Sequence, residues 1–126
     1  MISEVVGCLR APGLAELWTP AAGAEVWRER AFEVVLDDAW VTGVFDRVIV
    51  TRSPDGRATA AAVFDFKTDQ VGGEAAELER AVRRHAAQLH SYRRVVARLT
   101  GLPERAVAAE VVFTALARRC PVPDAS

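Results

Sequence analysis

Three consecutive runs decide the fold: Trp40-Val41-Thr42-Gly43-Val44-Phe45-Asp46-Arg47-Val48-Ile49-Val50-Thr51, then Ser53-Pro54-Asp55-Gly56, then Ala58-Thr59-Ala60-Ala61-Ala62-Val63-Phe64-Asp65-Phe66-Lys67. Two segments rich in β-branched and aromatic residues flank an Asp-Gly pair, the strongest short-range hairpin signal. With the turn centred on Asp55-Gly56, the pairing sets Asp46 directly opposite Asp65, and Lys67 projects from the same face two residues on. A four-residue loop from Pro54 to Arg57 has the same centre, whereas a one-residue slip would part the two acids. Directly opposed carboxylates would stand with Cβ atoms about 4.5–5.5 Å apart, where like charges repel.

Outward from the hairpin, Glu25 to Leu36 is rich in Val, Trp and Phe with partial alternation and reads as a preceding strand, turned by Asp37-Asp38. Thr19 to Gly23 is a turn. Residues 3–18 carry helical spacing, broken by Pro12-Gly13 into two short helices. Thr68 to Gly73 is a loop. From Ala75 to about Thr100 a helical period runs through Ala81, Val82, His85, Ala86, Leu89, Tyr92, Val96 and Leu99, the expected inward stripe. Gly101 stops it and Pro103 follows. Val107 to Leu116 is a last strand, and 117–126, with Pro121 and Pro123, reads as a frayed tail. The expected class is α/β in the order αβββαβ, one domain spanning 1–126, with a central mixed sheet flanked by helices.

The 126 residues suit a single core. A charged fraction of 26% with a net charge of −1 excludes wholesale disorder and gives no global nucleic-acid signal. No apolar run reaches the roughly 18 residues a membrane helix needs. The acidic start lacks a secretory pattern, so a cytoplasmic protein is expected. Cys8 and Cys120 are too few for a structural zinc or iron–sulfur site and are expected reduced. Of 16 basic residues 15 are arginine, so the single lysine, Lys67, occupies a place where an ammonium does what a guanidinium does not.

That lysine lies beside the opposed acids. Two close carboxylates call for cations; Lys67 supplies one charge, and Mg²⁺ or Mn²⁺ suits an all-oxygen donor set. Such a group could bind a phosphate and activate water. The plainer interpretation is a pair of exposed acids neutralised by Arg47 or Lys67. Against it stand the apolar neighbours Val44, Val63, Phe64 and Phe66, and the position at a strand end before a Gly-containing loop.

Together, Gly43-Val44-Phe45-Asp46-Arg47-Val48, Asp65-Phe66-Lys67-Thr68 and Gln88-Leu89-His90-Ser91-Tyr92 resemble the PD-(D/E)xK nuclease superfamily. More narrowly they resemble the C-terminal nuclease domain of AddA/RecB-type, UvrD-like helicase-nucleases, with G-x-x-D-R-V, D-[YF]-K-[TS] and Q-x-x-x-Y motifs. Glu29-Arg30-Ala31-Phe32 stands where those domains carry E-x-P-F, with Ala31 replacing the proline. The resemblance runs from about Glu29 to Thr114. It implies a restriction-endonuclease-like fold and a metal-dependent nuclease acting on single-stranded DNA in repair or recombination, leaving 5′-phosphate and 3′-hydroxyl ends. It also implies Mg²⁺ or Mn²⁺ held by Asp46, Asp65 and the Phe66 carbonyl, Lys67 as catalytic lysine, and Gln88 and Tyr92 facing DNA or steadying the site. Helicase domains, in the same polypeptide or in a partner subunit, would be the companions.

DNA contacts are expected from Arg47, Arg84, Gln88 and Tyr92, with Arg52, Arg80, Arg83, Arg93, Arg94 and Arg98 available to neutralise phosphates. Equally open is a solvated helix face balanced by Glu74, Glu77 and Glu79. Trp18, Trp27 and Trp40 are expected in the core rather than stacked on bases. His85 reads as a core residue and His90 as a solvated one. Two features depart from the resemblance: no histidine precedes Glu29, and no four-cysteine cluster occurs. The chain therefore reads as a piece of a larger helicase-nuclease lacking its first helix, or as a small stand-alone relative. Rival readings are an inactive nuclease-fold module for DNA binding or protein docking, and a ligand-binding domain whose acids meet by chance.

Overall fold

A computed structural model describes residues 23–67, 74–114 and 118–122. The two leading helices expected over residues 3–18, Trp18, Cys8 and the Thr68 to Gly73 loop lie outside the described residues. Strands β1 (Glu25–Leu36), β2 (Ala39–Arg52) and β3 (Ala58–Lys67) form an antiparallel meander. Helix α1 (Ala75–Thr100) and a 3₁₀ turn (Glu104–Ala106) lead to β4 (Val107–Phe113), which pairs parallel to β3. β5 (Arg118–Pro121) returns antiparallel to β4, and the sheet order is β1-β2-β3-β4-β5.

Local chemistry explains the joints. Asp37 and Asp38 take positive φ, 51° and 64°, in the two-residue turn between β1 and β2, a conformation short polar side chains tolerate. Between β2 and β3 the turn spans Ser53 to Arg57, closed by Ser53 N–H on the Arg57 carbonyl at 2.9 Å. A bulge between Thr51 and Arg52 then restores the register symmetric about 55/56, with Arg47 paired to Phe64 and Val48 to Val63. The expected register is thus reached through a longer loop and an extra residue. Gly101, at φ 77°, donates its N–H to the Ala97 carbonyl and ends α1.

The core lies between the sheet and α1, where Phe45, Val48, Val63, Leu89, Val96, Val111 and Phe113 are fully enclosed. The helix stripe differs from expectation at one end: Val95 is buried and Leu99 is exposed. The segment expected to fray is in part a strand, since Val111 pairs with Cys120 and Val122 N–H reaches the Ala109 carbonyl at 2.9 Å. Strand pairing with β4 outweighs the flanking prolines, because Pro121 closes the edge strand, where a missing donor does little harm. No helix among the described residues is long and apolar enough to cross a membrane.

Candidate active site

The period of two breaks at one point on each of two neighbouring strands. Trp27 and Phe32 on β1 are five residues apart, and Phe45 and Val48 on β2 are three apart, yet all four belong to one buried cluster. Odd spacings on one face require a switch of faces, and the residues between them include Glu29, whose φ is +45°, and Asp46. Pairing of β1 with β2 skips Glu29 but keeps its register on both sides, from Arg28 with Arg47 to Arg30 with Phe45. Asp46 therefore sits at a structural irregularity next to the point where β2 and β3 part.

Beyond Arg47 and Phe64 that ladder stops. Asp46 takes over its role with a side chain: the Phe66 N–H donates to Asp46 Oδ2 at 2.8 Å. In a strand the N–H and C=O of one residue point to the same edge, so the Phe66 carbonyl also faces the Asp46 side. Lys67, one residue on, faces β4, where its carbonyl accepts from Thr114 N–H at 3.0 Å and from the Thr114 hydroxyl at 3.2 Å. This clamp fixes the backbone beneath the lysine. Thr114 was not among the residues singled out from the sequence, because its role depends on the parallel β3–β4 register, which no local pattern states.

Lys67 Nζ lies 2.8 Å from Asp65 Oδ2 and donates to Gln88 Oε1 at 3.1 Å, and Gln88 Nε2 donates to the Tyr92 hydroxyl at 3.1 Å. One helical turn separates Gln88 from Tyr92, which places both above the strand end. The Tyr92 ring is held edge-on against Phe32 and Phe45, with centroids 5.6 and 5.4 Å away. Gly43 belongs to the same box: a Cβ there would stand 2.8 Å from Phe32 Cζ. A glycine three residues before Asp46 thus has a steric reason.

Electrostatics mark the pair of acids. Asp46 is pushed up to about 6, first by burial and then by the Asp65 carboxylate against it, with the Phe66 N–H and Lys67 only partly offsetting this. Tyr92 is raised by burial and by the charges of Asp65 and Asp46. Asp65 is 5% exposed, and its Oδ2, although ion-paired with Lys67, has no partner in hydrogen-bonding geometry. The lysine is close, but the pair lacks hydrogen-bonding geometry, so that buried oxygen is held by charge alone. A buried, under-coordinated carboxylate oxygen beside a second acid whose ionisation burial disfavours fits a hard divalent cation, and the donors are all oxygen. Among the described residues no group of three His, Cys, Asp or Glu gathers.

The sequence profile of the PD-(D/E)XK nuclease superfamily matches residues 7–122. The chain belongs to that superfamily. The match covers the hairpin, α1 and both following strands, and the mixed five-stranded sheet with its helix is consistent with the restriction-endonuclease-like fold. A search among curated proteins gives no match.

Membership makes this a nuclease domain, with phosphodiester hydrolysis, DNA binding and divalent-metal use as the superfamily's general properties. Of the expected site residues, Asp46, Asp65, Phe66, Lys67, Gln88 and Tyr92 come together. Arg47 does not join them. It is buried at 9% exposure, its guanidinium pKa lowered by desolvation and by Arg28. Arg84 is exposed on α1 one turn before Gln88. Arg93 serves structure instead, donating to the Val107 and Glu104 carbonyls at 2.9 and 3.1 Å, and Arg94 pairs with Asp37 at 2.6 Å. Trp27 is buried as expected, whereas Trp40, expected in the core, is 71% exposed at the hairpin tip. His85 and His90 are both half-buried.

Proposed function

We propose that this domain is an active, metal-dependent deoxyribonuclease that cuts single-stranded DNA, working with helicase domains of the AddA/RecB type in cytoplasmic DNA repair or recombination. The observation that carries the proposal is the junction of Asp46, Asp65 and Lys67, where a buried carboxylate oxygen lacks a hydrogen bond. Asp46, Asp65 and the Phe66 carbonyl would hold the ion, Mg²⁺ or Mn²⁺. When bound, it supplies Lewis-acid polarisation of the phosphate and neutralises part of its charge.

The chain's own groups do the rest. Lys67, fixed below by Thr114 and above by Gln88, orients the attacking water and offsets negative charge as phosphorus becomes five-coordinate. Gln88 spends its carbonyl oxygen on Lys67 and its amide on Tyr92, which keeps the ammonium aimed toward the acids. Tyr92, receiving that amide proton, has its own hydroxyl proton left to donate to a phosphate oxygen. Arg84 and the second amide hydrogen of Gln88 present donors to the backbone of the strand without reading its bases. Water adds to phosphorus, the 3′ oxygen leaves, and the products carry a 5′-phosphate and a 3′-hydroxyl.

The test is cleavage of end-labelled single-stranded DNA by the purified chain in Mg²⁺, Mn²⁺ or EDTA, beside Lys67→Ala and Asp65→Ala. Cutting that requires the metal and vanishes in both variants is expected. A folded wild-type chain that cuts under none of these conditions sinks the proposal in favour of a docking module.

A further inference from the structure

A second feature of the same sheet end has no part in the chemistry above. Between the first turns of α1 and β5 lies a cavity of about 550 Å³, within the range of pockets that accept small ligands. Its apolar walls include Leu78, Val82 and Pro121, and Arg83, Arg118 and Arg119 line it together with one carboxylate, Glu79. Lys67, Phe113 and Arg118 are aligned in register across β3, β4 and β5. Arg118 is therefore two strand spacings, about 10 Å, from Lys67 along the sheet. At the stacked rise of about 3.4 Å per nucleotide that gap is about three steps, and fewer for an extended single strand.

Charge and shape point to one occupant. Arg118 is exposed and makes no ion pair with any described residue, whereas Arg119 beside it is taken by Glu110 at 2.5 Å. Arg83 is paired with Glu79 at 3.1 Å, but both are well exposed, and such pairs exchange readily for a stronger anion. A base seated against Leu78, Val82 and Pro121 meets no side-chain hydrogen-bonding group there, and the polar groups of the rim, Glu79 and Arg119, are engaged by Arg83 and Glu110, so its face is buried without its edge being read. We propose, resting on the nuclease reading, that this cavity is a substrate subsite: it takes a nucleotide two or three positions from the scissile phosphate, its base against the apolar walls and its phosphate on Arg118 and Arg83. The subsite is sequence-neutral and fixes the strand's path away from Lys67.

The experiment is fluorescence anisotropy in EDTA, which prevents cutting, with labelled oligothymidylate about eight nucleotides long. Wild type is compared with Arg118→Glu, with Ala75→Trp and with Arg105→Glu. Ala75 is an exposed lining residue, so the indole fills the cavity without disturbing the core. Arg105 is exposed just before β4, at the opposite end of the sheet, and carries the same charge change as Arg118→Glu. Binding about tenfold weaker in both cavity variants, with Arg105→Glu within about twofold of wild type, is expected. Normal binding by Ala75→Trp overturns the subsite and leaves the cavity to another occupant, such as a protein segment. Equal weakening by Arg118→Glu and Arg105→Glu also overturns it, because the effect is then general electrostatics. If wild type binds no oligonucleotide, the nuclease reading falls first and the subsite with it.

Discussion

The Asp46–Asp65 pair is where single residues decide most. Held at close range with burial raising Asp46 to about 6, the acids repel in the metal-free protein. Replacing one should therefore stabilise the fold while removing function, as strained functional sites do. Asp46→Asn is expected to raise the melting temperature in EDTA and to lower the cutting rate by about 10²-fold or more. The sign of the pH dependence follows. Asp46 titrates higher folded than its ordinary 3.8, so it favours the fold at acid pH, and that contribution is lost as pH rises from about 4 through about 6. Melting temperature in EDTA should accordingly depend more weakly on pH across that window in Asp46→Asn than in wild type. Metal affinity has the opposite slope: Mn²⁺ binding, followed by calorimetry, should weaken as pH falls through about 6, because the ion and the proton compete for one carboxylate. Lys67→Arg is a sharper probe than Lys67→Ala. It keeps the charge in a chain that uses arginine almost everywhere else, yet the broader, more rigid guanidinium does not fit between Asp65 Oδ2 and Gln88 Oε1, 2.8 and 3.1 Å from the present nitrogen. Loss of cutting by about 10²-fold, in a chain that still unfolds cooperatively, is expected.

At the scale of elements, the hairpin and the helix were legible for different reasons. Asp55-Gly56 announced the turn, and the register it implied held because the bulge at Thr51 and Arg52 compensated for a loop longer than two residues. Ala75 to Thr100 was legible from its period and from Gly101. Face switching was not legible. A sequence reader sees only partial alternation in β1 and β2, and nothing in Glu29 states that its backbone turns left-handed. The same switch explains Trp40: past it, positions 40, 42 and 44 turn outward, and all three are exposed. Gly43 is the element-scale test. Its neighbour Phe32 is stacked on Phe45 at 4.5 Å and closed in by Tyr92, so the ring has nowhere to retreat. Gly43→Ala should cost about 1–3 kcal/mol by urea denaturation. Because Tyr92 leans on the displaced ring, cutting should fall as well.

Across the whole molecule, the sheet places its chemistry at one end because β3 and β4 run parallel, and parallel strands need the α1 crossover that carries Gln88 and Tyr92 back over Lys67. The site thus joins groups 46 residues apart in sequence, from Asp46 to Tyr92; their motifs were readable, but the hydrogen-bonded chain linking them was not. The final strand shows what local reading missed. Arg118-Arg119-Cys120, followed by Pro121 and Pro123, has the look of a tail, yet β5 covers one edge of β4, and Arg119 rests its guanidinium 5.4 Å from the Phe64 ring while pairing with Glu110. These are long-range contacts, invisible to a window of neighbouring residues. Without β5, Val111 and Phe113, both fully buried, would lie in an exposed edge strand, which invites association with other chains. Ending the chain after Ala117 should therefore cost about 2–4 kcal/mol, from four ladder positions at about 0.5–1 kcal/mol each. Urea midpoints should fall accordingly, and light scattering should detect association that the full chain does not show. Normal stability and a monodisperse product from the shortened chain would mean that β5 is dispensable to the sheet.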